Sequence, residues 1–288
     1  FDAIDRDASI RTILGVGDDF DYEIISKEDW IGRRLVADRF RDRRIFICGD
    51  SAHLWVPYAG FGMNAGIADA MNLTWLLAAT LNGWGGERLL DAYEAERLPI
   101  TEQVSHFAMN HALSAIAHRR AVPAAVELDG PEGEAARAAL GQQVYALNVQ
   151  QYCCGGLNFG YFYPESHIIA YDGEAQPGYS MAGFEQSTVP GCRTPHFWRR
   201  GGSSAYDDFG RDYTLLRFDP AIDVLALEQA AAAVGMPLTV IDVAADERTG
   251  VYRHKLLLSR PDLHVGWRGD ALPGDVAGLV DQLRGAVR

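Results

Sequence analysis

Apolar residues change their spacing several times along the chain, and each change marks an element. The first thirty residues predict a short helix from Ser9 to Leu14, a turn rich in Gly and Asp, and a strand from Tyr22 to Ser26. Ile31 to Arg39 reads as extended and leads into a basic turn, Arg41-Asp42-Arg43-Arg44. The continuous apolar run Ile45-Phe46-Ile47-Cys48 predicts a strand covered on both faces, ending at Gly49-Asp50. A loop rich in Gly, Pro and aromatic residues then reaches Gly62. From Met63 to Leu81, Ile67, Ala70, Met71, Trp75 and Ala78 fall at helical spacing and predict a mostly buried helix, closed by Gly83, Gly85 and Gly86. A second helical stretch runs from about Glu87 to Arg120, and Pro99 is expected to kink or split it.

Residues 121–165 are mixed, with a helix predicted over Ala135 to Gln150 and then the string Gly155-Gly156-Leu157-Asn158-Phe159-Gly160-Tyr161. Residues 171–192 are polar and turn-rich, as in a surface linker. Beyond Pro195 the texture changes. Strands are expected at Tyr213 to Phe218, Leu238 to Val243, Lys255 to Ser259 and Val265 to Arg268, with helices at Val224 to Val234 and Asp275 to Arg284. That β-α-β-β-β-α order resembles a thioredoxin-like domain. The division expected is therefore residues 1–170, a linker over 171–192, and a thioredoxin-like domain over 193–288.

With 288 residues and 48% hydrophobic content, the chain can fill more than one core. A net charge of −13 argues against a nucleic-acid partner, which needs clustered Lys and Arg. No apolar run reaches the roughly 18–20 residues of a membrane span, and the start Phe1-Asp2-Ala3-Ile4-Asp5-Arg6 has no signal-peptide pattern. That start lacks a Met and reads as a cut end. Cys48, Cys153, Cys154 and Cys192 form no spaced metal set, and sparse cysteine fits a reducing cytoplasm. No metal is expected.

The chemistry concentrates in Gly49-Asp50-Ser51-Ala52-His53-Leu54-Trp55-Val56-Pro57-Tyr58-Ala59-Gly60-Phe61-Gly62-Met63-Asn64-Ala65-Gly66-Ile67-Ala68-Asp69-Ala70-Met71-Asn72-Leu73. A strand delivers a carboxylate at its carboxyl end, where ligands of open α/β sheets bind. Gly60 and Gly62 let backbone approach a flat ligand, and the first amides of the following helix are left unpaired for an anionic group. A carboxylate for hydroxyls beside amides for an anion suits a flavin. The alternative for Asp50 is a cap on the turn after the strand.

This run resembles the flavin signature GD-x-x-H-x-x-x-P-x-x-G-x-G-x-N-x-G-x-x-D-A-x-N-L of single-component FAD aromatic-ring hydroxylases, the phenol and p-hydroxybenzoate hydroxylase family. The resemblance extends to Trp30 and Arg33 to Phe40, to Tyr93-Glu94-Ala95-Glu96-Arg97-Leu98-Pro99, to Gly191-Cys192-Arg193-Thr194-Pro195-His196, and to Asp262 to Asp270. It implies an α/β fold in which an incomplete, Rossmann-like FAD-binding and substrate portion precedes the thioredoxin-like domain. It also implies a flavin-dependent monooxygenase that uses NAD(P)H and O2 to hydroxylate a small phenolic substrate.

Carried onto this chain, the family implies that Asp50 accepts from the ribityl hydroxyls, with Gly49 counted beside it among the cofactor-binding residues. Backbone amides around Gly62, Met63 and Asn64 would face the N1–C2=O edge of the flavin, where fixed dipoles favour the reduced, anionic form, and Gly60 is counted with the cofactor site. Pro57 would lie beside the ring, and Trp55, Tyr58 and Phe61 either line the aromatic cavity or pack. Val56 replaces a frequent Pro and Ala59 a frequent Gly, departures that bear on loop shape. The family's GxGxxG and middle DG motifs are missing, so the missing amino-terminal half is the expected partner. Alone, the chain is expected to bind FAD weakly or not at all and to be inactive. The family resemblance leaves the catalytic base unnamed and leaves room for a homodimer.

The other polar residues have simpler readings. His53 is expected to bond backbone and brace the loop, Asp69 and Asn72 to satisfy buried backbone or loop groups, and Glu94 and Arg97 to pair on a helix face. Phe159, Tyr161, Phe162 and Tyr163 read as core or interface. Two rivals remain. A serine hydrolase would use Ser51 and His53, but Gly49-Asp50-Ser51-Ala52-His53 is not GxSxG. A non-catalytic binding or oligomerisation fragment would use the thioredoxin-like part, which lacks CxxC.

Overall fold

The computed structural model describes residues 4–286, so the first three and last two residues lie outside the described residues. It divides into two units, Phe1–Arg33 and Arg34–Arg288. In the first, helix α1 (Arg6–Leu14) starts because Asp5 accepts from the Ala8 amide at 3.0 Å, and it stops at Gly15 with φ 66°. The strand expected over Tyr22 to Ser26 does not form; that stretch has no ladder partner among the described residues.

The second unit opens with two small ladders. Strand β1 (Leu35–Val36) is the only ladder segment in the stretch expected to be extended. Strands β2 (Arg41–Asp42) and β3 (Ile45–Phe46) close a hairpin across the basic turn, with Arg43 at φ 54°. The run Ile45-Phe46-Ile47-Cys48 is therefore not a strand covered on both faces: it keeps two residues of ladder, and Ile45 is 68% exposed. A single 3₁₀ turn, Gly49–Ser51, separates it from β4 (His53–Leu54), which pairs antiparallel with β1.

Helix α2 (Phe61–Leu81) begins two residues earlier than the apolar spacing predicts. It is half-covered rather than mostly buried. Ala65, Asp69, Asn72, Leu73, Trp75, Leu76 and Ala79 face inward, whereas Met63, Ile67, Met71, Ala78 and Leu81 are exposed. Helix α3 (Ala92–Arg120) passes Pro99 without a break. Glycine at 130 and Pro131 at the first helical position start α4 (Pro131–Tyr152), longer than expected, and a π-turn follows over Gly156–Gly160.

The carboxyl-terminal region follows the expected order. After the short helix α5 (Ala205–Asp208) come β5 (Tyr213–Arg217), α6 (Leu225–Ala233), β6 (Leu238–Asp242), β7 (Leu256–Ser259), β8 (Val265–Gly269) and α7 (Val276–Leu283). The sheet order is β6-β5-β7-β8, parallel between β5 and β6 and antiparallel elsewhere. Central strands β5 and β7 are buried on both faces, which is why they read as unbroken apolar runs.

Alternation along those strands feeds two cores. Leu216 and Leu257 join Phe197, Phe218, Val243, Tyr252 and Val265 in one cluster. Tyr213, Leu215, Leu256 and Leu258 join α6 and α7 and, across the sheet, Phe40, Leu73, Trp75, Leu76, Leu89 and Tyr93 in the other. The second cluster runs from the hairpin through α2 and the head of α3 into the carboxyl-terminal sheet without a gap.

Candidate functional site

Glycine conformations shape the stretch between β3 and α2. Gly49 and Gly60 have φ of 56° and 60°, the left-handed region that other residues avoid. Gly49 packs against Gly66 of α2 so closely that a Cβ on Gly66 would lie 3.1 Å from the Gly49 Cα. The turn carrying Asp50 is thereby pressed onto the first turns of α2. The Asp50 carboxylate is exposed and has no hydrogen bond or ion pair among the described residues, so it caps nothing.

The amino end of α2 has no side-chain cap, and Asn64 turns its amide back to the Gly60 carbonyl at 3.1 Å. The positive end of the helix dipole and its first amides are left for a ligand. Gly49, Asp50, Pro57, Gly60, Gly62, Met63 and Asn64, the positions assigned to the cofactor from sequence, are all exposed or half-buried. The side chain of Ala59 lies outside the described residues.

Behind this surface lies a dry ionic network. Asp69 is fully buried; its Oδ2 accepts from His53 Nε2 at 2.7 Å and from the Gly49 amide at 3.2 Å, and its Oδ1 from Arg97 Nε at 2.8 Å. Burial alone would raise the Asp69 pKa, but the His53 hydrogen bond, the Arg97 charge and the Gly49 amide hold it below its ordinary value. Three expectations are corrected here. His53 binds a carboxylate rather than backbone, because β4 aims it inward. Arg97 reaches Asp69 rather than Glu94, because α3 buries it while Glu94 accepts the Phe40 and Arg41 amides at 2.7 and 3.1 Å. Asn72 bonds side chains: its amide meets Glu96 at 2.7 Å, Asp262 at 3.3 Å and Tyr163 at 3.4 Å.

Glu96 in turn holds Arg260 by two bonds of 2.6 and 2.7 Å and accepts from Ser166 at 2.6 Å. Arg260 also bonds Asp262 at 2.7 Å and lies over the rings of Trp75 and Tyr163, 5.1 and 5.3 Å from their centroids. Against the cost of burial, Arg260 and His264 keep the Asp262 carboxyl well below the usual range.

The Ser51 hydroxyl donates to the Cys48 carbonyl at 2.7 Å while His53 is committed to Asp69, so the pair a serine hydrolase would need is not made. The aromatic trio separates. Trp55 stacks on His53 with centroids 4.8 Å apart, Tyr58 accepts from Arg119 at 3.0 Å, and of the three only Phe61 lines an apolar cavity of about 370 Å³. All four cysteines are free, and no His, Cys, Asp and Glu cluster among the described residues suits a metal. No described helix is long and apolar enough to cross a membrane.

Sequence reasoning missed Arg260 and the inward turn of Arg97. The one signal for Arg260 was its place at the end of Leu256-Leu257-Leu258-Ser259, where a charge after an apolar central strand must find a buried partner.

The turn carrying Asp50 and the uncapped helix it packs on lie within residues 6–108, which match the family model described as FAD binding domain. The chain is 32% identical to a 4-methyl-5-nitrocatechol 5-monooxygenase of a Burkholderia species, across 96% of this chain and 49% of that protein. The rebeccamycin biosynthetic enzyme RebC with reduced flavin superposes with a TM-score of 0.86 at 37% identity, over 100% of this chain and 53% of its own. The flavin-dependent monooxygenase PieE, solved with FAD and substrate, gives 0.78 at 27% identity over 97% and 53%. The chain carries part of an FAD binding domain and is similar along nearly all its length to FAD-dependent monooxygenases and aromatic hydroxylases. It spans about half the length of the curated relatives it matches.

Proposed function

We propose that this chain supplies the carboxyl-terminal half of a flavin-dependent monooxygenase that hydroxylates a phenolic substrate with NAD(P)H and O2 in the cytoplasm. The observation that carries this reading is the exposed, unpartnered Asp50 carboxylate held by Gly49 and Gly66 beside the uncapped start of α2. These residues fit the group: Asp50 would accept from the ribityl hydroxyls, and the amides of Gly62, Met63 and Asn64 would meet the N1–C2=O edge. Pro57 would flank the ring. FAD supplies the redox chemistry when bound, and NAD(P)H is its reductant. The protein's own part is to orient the ring, keep the Asp50 turn in place through Asp69, and exclude water behind it.

The partner in this reading is an amino-terminal half equivalent to the one the relatives carry. Support comes from apolar positions left uncovered around the turn: Leu35 and Leu54, opposite each other across a ladder, and Ile45, Met63, Ile67 and Met71. The strand order β6-β5-β7-β8 supports a thioredoxin-like domain over 193–288, with 1–170 as the flavin and substrate portion and 171–192 as the linker.

Co-expression with such an amino-terminal half tests the proposal. The expected complex is yellow, with a flavin absorbance spectrum, and oxidises NAD(P)H faster when phenols are added. A colourless complex with Asp50 intact would refute it.

A further inference from the structure

From Asp19 to Ile24 acidic and apolar residues alternate without exception: Asp19, Asp21 and Glu23 on one parity, Phe20, Tyr22 and Ile24 on the other. A period of two marks a strand with one polar and one apolar face. Side-chain geometry agrees. The rings of Phe20 and Tyr22 lie 28° from parallel with centroids 6.5 Å apart, as neighbours on one face of an extended chain do.

Yet the ladder is missing. Among the described residues, no backbone amide or carbonyl from Asp21 to Ile31 has a backbone partner. Helix α1 holds only one end of the stretch: Arg11 Nη1 donates to the Phe20 carbonyl at 3.1 Å and lies over the Tyr22 ring, whose hydroxyl donates to Asp7. Ile24 and Ile25 are left 50 and 93% exposed. An extended, amphipathic backbone with its hydrogen bonds unmade is a template for a sheet edge.

What edge it fits follows from the alternation. Apolar residues must stand opposite Phe20, Tyr22 and Ile24, and Lys, Arg or Thr opposite Asp21 and Glu23. A second copy of the stretch does not meet this. Paired with itself in either direction, it sets acid against acid or acid against apolar in every register. The curated relatives carry about as much sequence again as the part this chain matches.

We infer that residues 19–24 are a donor strand, added in the assembled protein to an open sheet edge of the amino-terminal half, which rests on the proposed function for the existence of that half. Main-chain bonds would supply the affinity and the alternating faces the register. Complex formation is read here by exchange and yield, and flavin by absorbance, so the two ideas can fail separately.

Hydrogen–deuterium exchange on the full chain, free and in complex with a co-expressed amino-terminal half, tests it. Amides 20–26 should exchange as in an open chain when free and about tenfold more slowly or better in the complex. Glu23→Pro and Ile24→Pro each delete one amide of the stretch. Neighbouring amides of a strand point to opposite edges, so at least one variant should cut the yield of complex roughly tenfold. Neither should move the thermal melt of the free chain, where these amides have no backbone partner. A colourless complex with the stretch protected would uphold the donor strand while the flavin reading fails. A yellow complex with the stretch unprotected, or with full yield from both proline variants, would overturn the donor strand alone. Protection already present in the free chain, or no complex at all, would overturn it too.

Discussion

Helix α2 has two edges with opposite chemistry. Its inner edge, through Asp69 and Asn72, is tied into a network in which every carboxylate has a cation. Its amino end and outer edge, Gly60 to Met71, expose bare amides, the free carboxylate of the neighbouring Asp50 turn, and apolar side chains without partners. The buried carboxylates used for support are each paired with a cation, whereas the carboxylate offered to a ligand has no partner. The difference separates Asp69 from Asp50 more surely than residue type does.

That contrast is open to mutation. Arg260→Met, which leaves Glu96 and Asp262 buried without their cation, should cost the most, about 3–5 kcal/mol by urea denaturation. A loss under 1 kcal/mol would show that the inner network is not held by charge.

Asp69→Asn comes next, with about 2–3 kcal/mol expected from the lost charge-assisted bonds. The parent should also carry a pH signature. Its Asp69 and Asp262 carboxyls are held below the ordinary 3.8, so the stability they confer is present above pH 3.8 and is lost as pH falls through their folded values. Thermal melts from pH 6 down to pH 2 should fall less steeply for Asp69→Asn than for the parent.

Gly66→Ala puts a Cβ 3.1 Å from the Gly49 backbone. It should cost about 1–2 kcal/mol and loosen flavin in the reconstituted enzyme, measured by flavin release on dilution. Asp50→Ala is expected to change stability least, within about 0.5 kcal/mol, yet to remove most bound flavin. A stability loss as large as that of Asp69→Asn would place Asp50 with the supporting residues.

The sequence was most legible where a single period rules an element. The order from Tyr213 to Leu283 was readable because central strands buried on both faces leave unbroken apolar runs and glycines punctuate the ends. It misled at Ile45 to Cys48 and at Ile67 and Met71, where apolar residues imply cover that this chain does not itself provide. The glycines around Asp50 pointed to the open turn, because φ and close approach are local properties. Arg97 and Arg260 were not legible, since their partners are set by packing between distant segments. Local spacing suggested Glu94 for Arg97, and nothing nearby suggested Glu96 for Arg260.

Glu96 and Arg260 lie 164 residues apart in the chain. At synthesis rates of roughly 5–20 residues per second, the glutamate leaves the ribosome about 10–30 s before the arginine that neutralises it. Until then the head of α3 carries a charge it cannot bury, and the core shared by α2 and the last sheet cannot close. Final consolidation must await the last strands, which makes the newborn chain most exposed to proteases and chaperones late in its making.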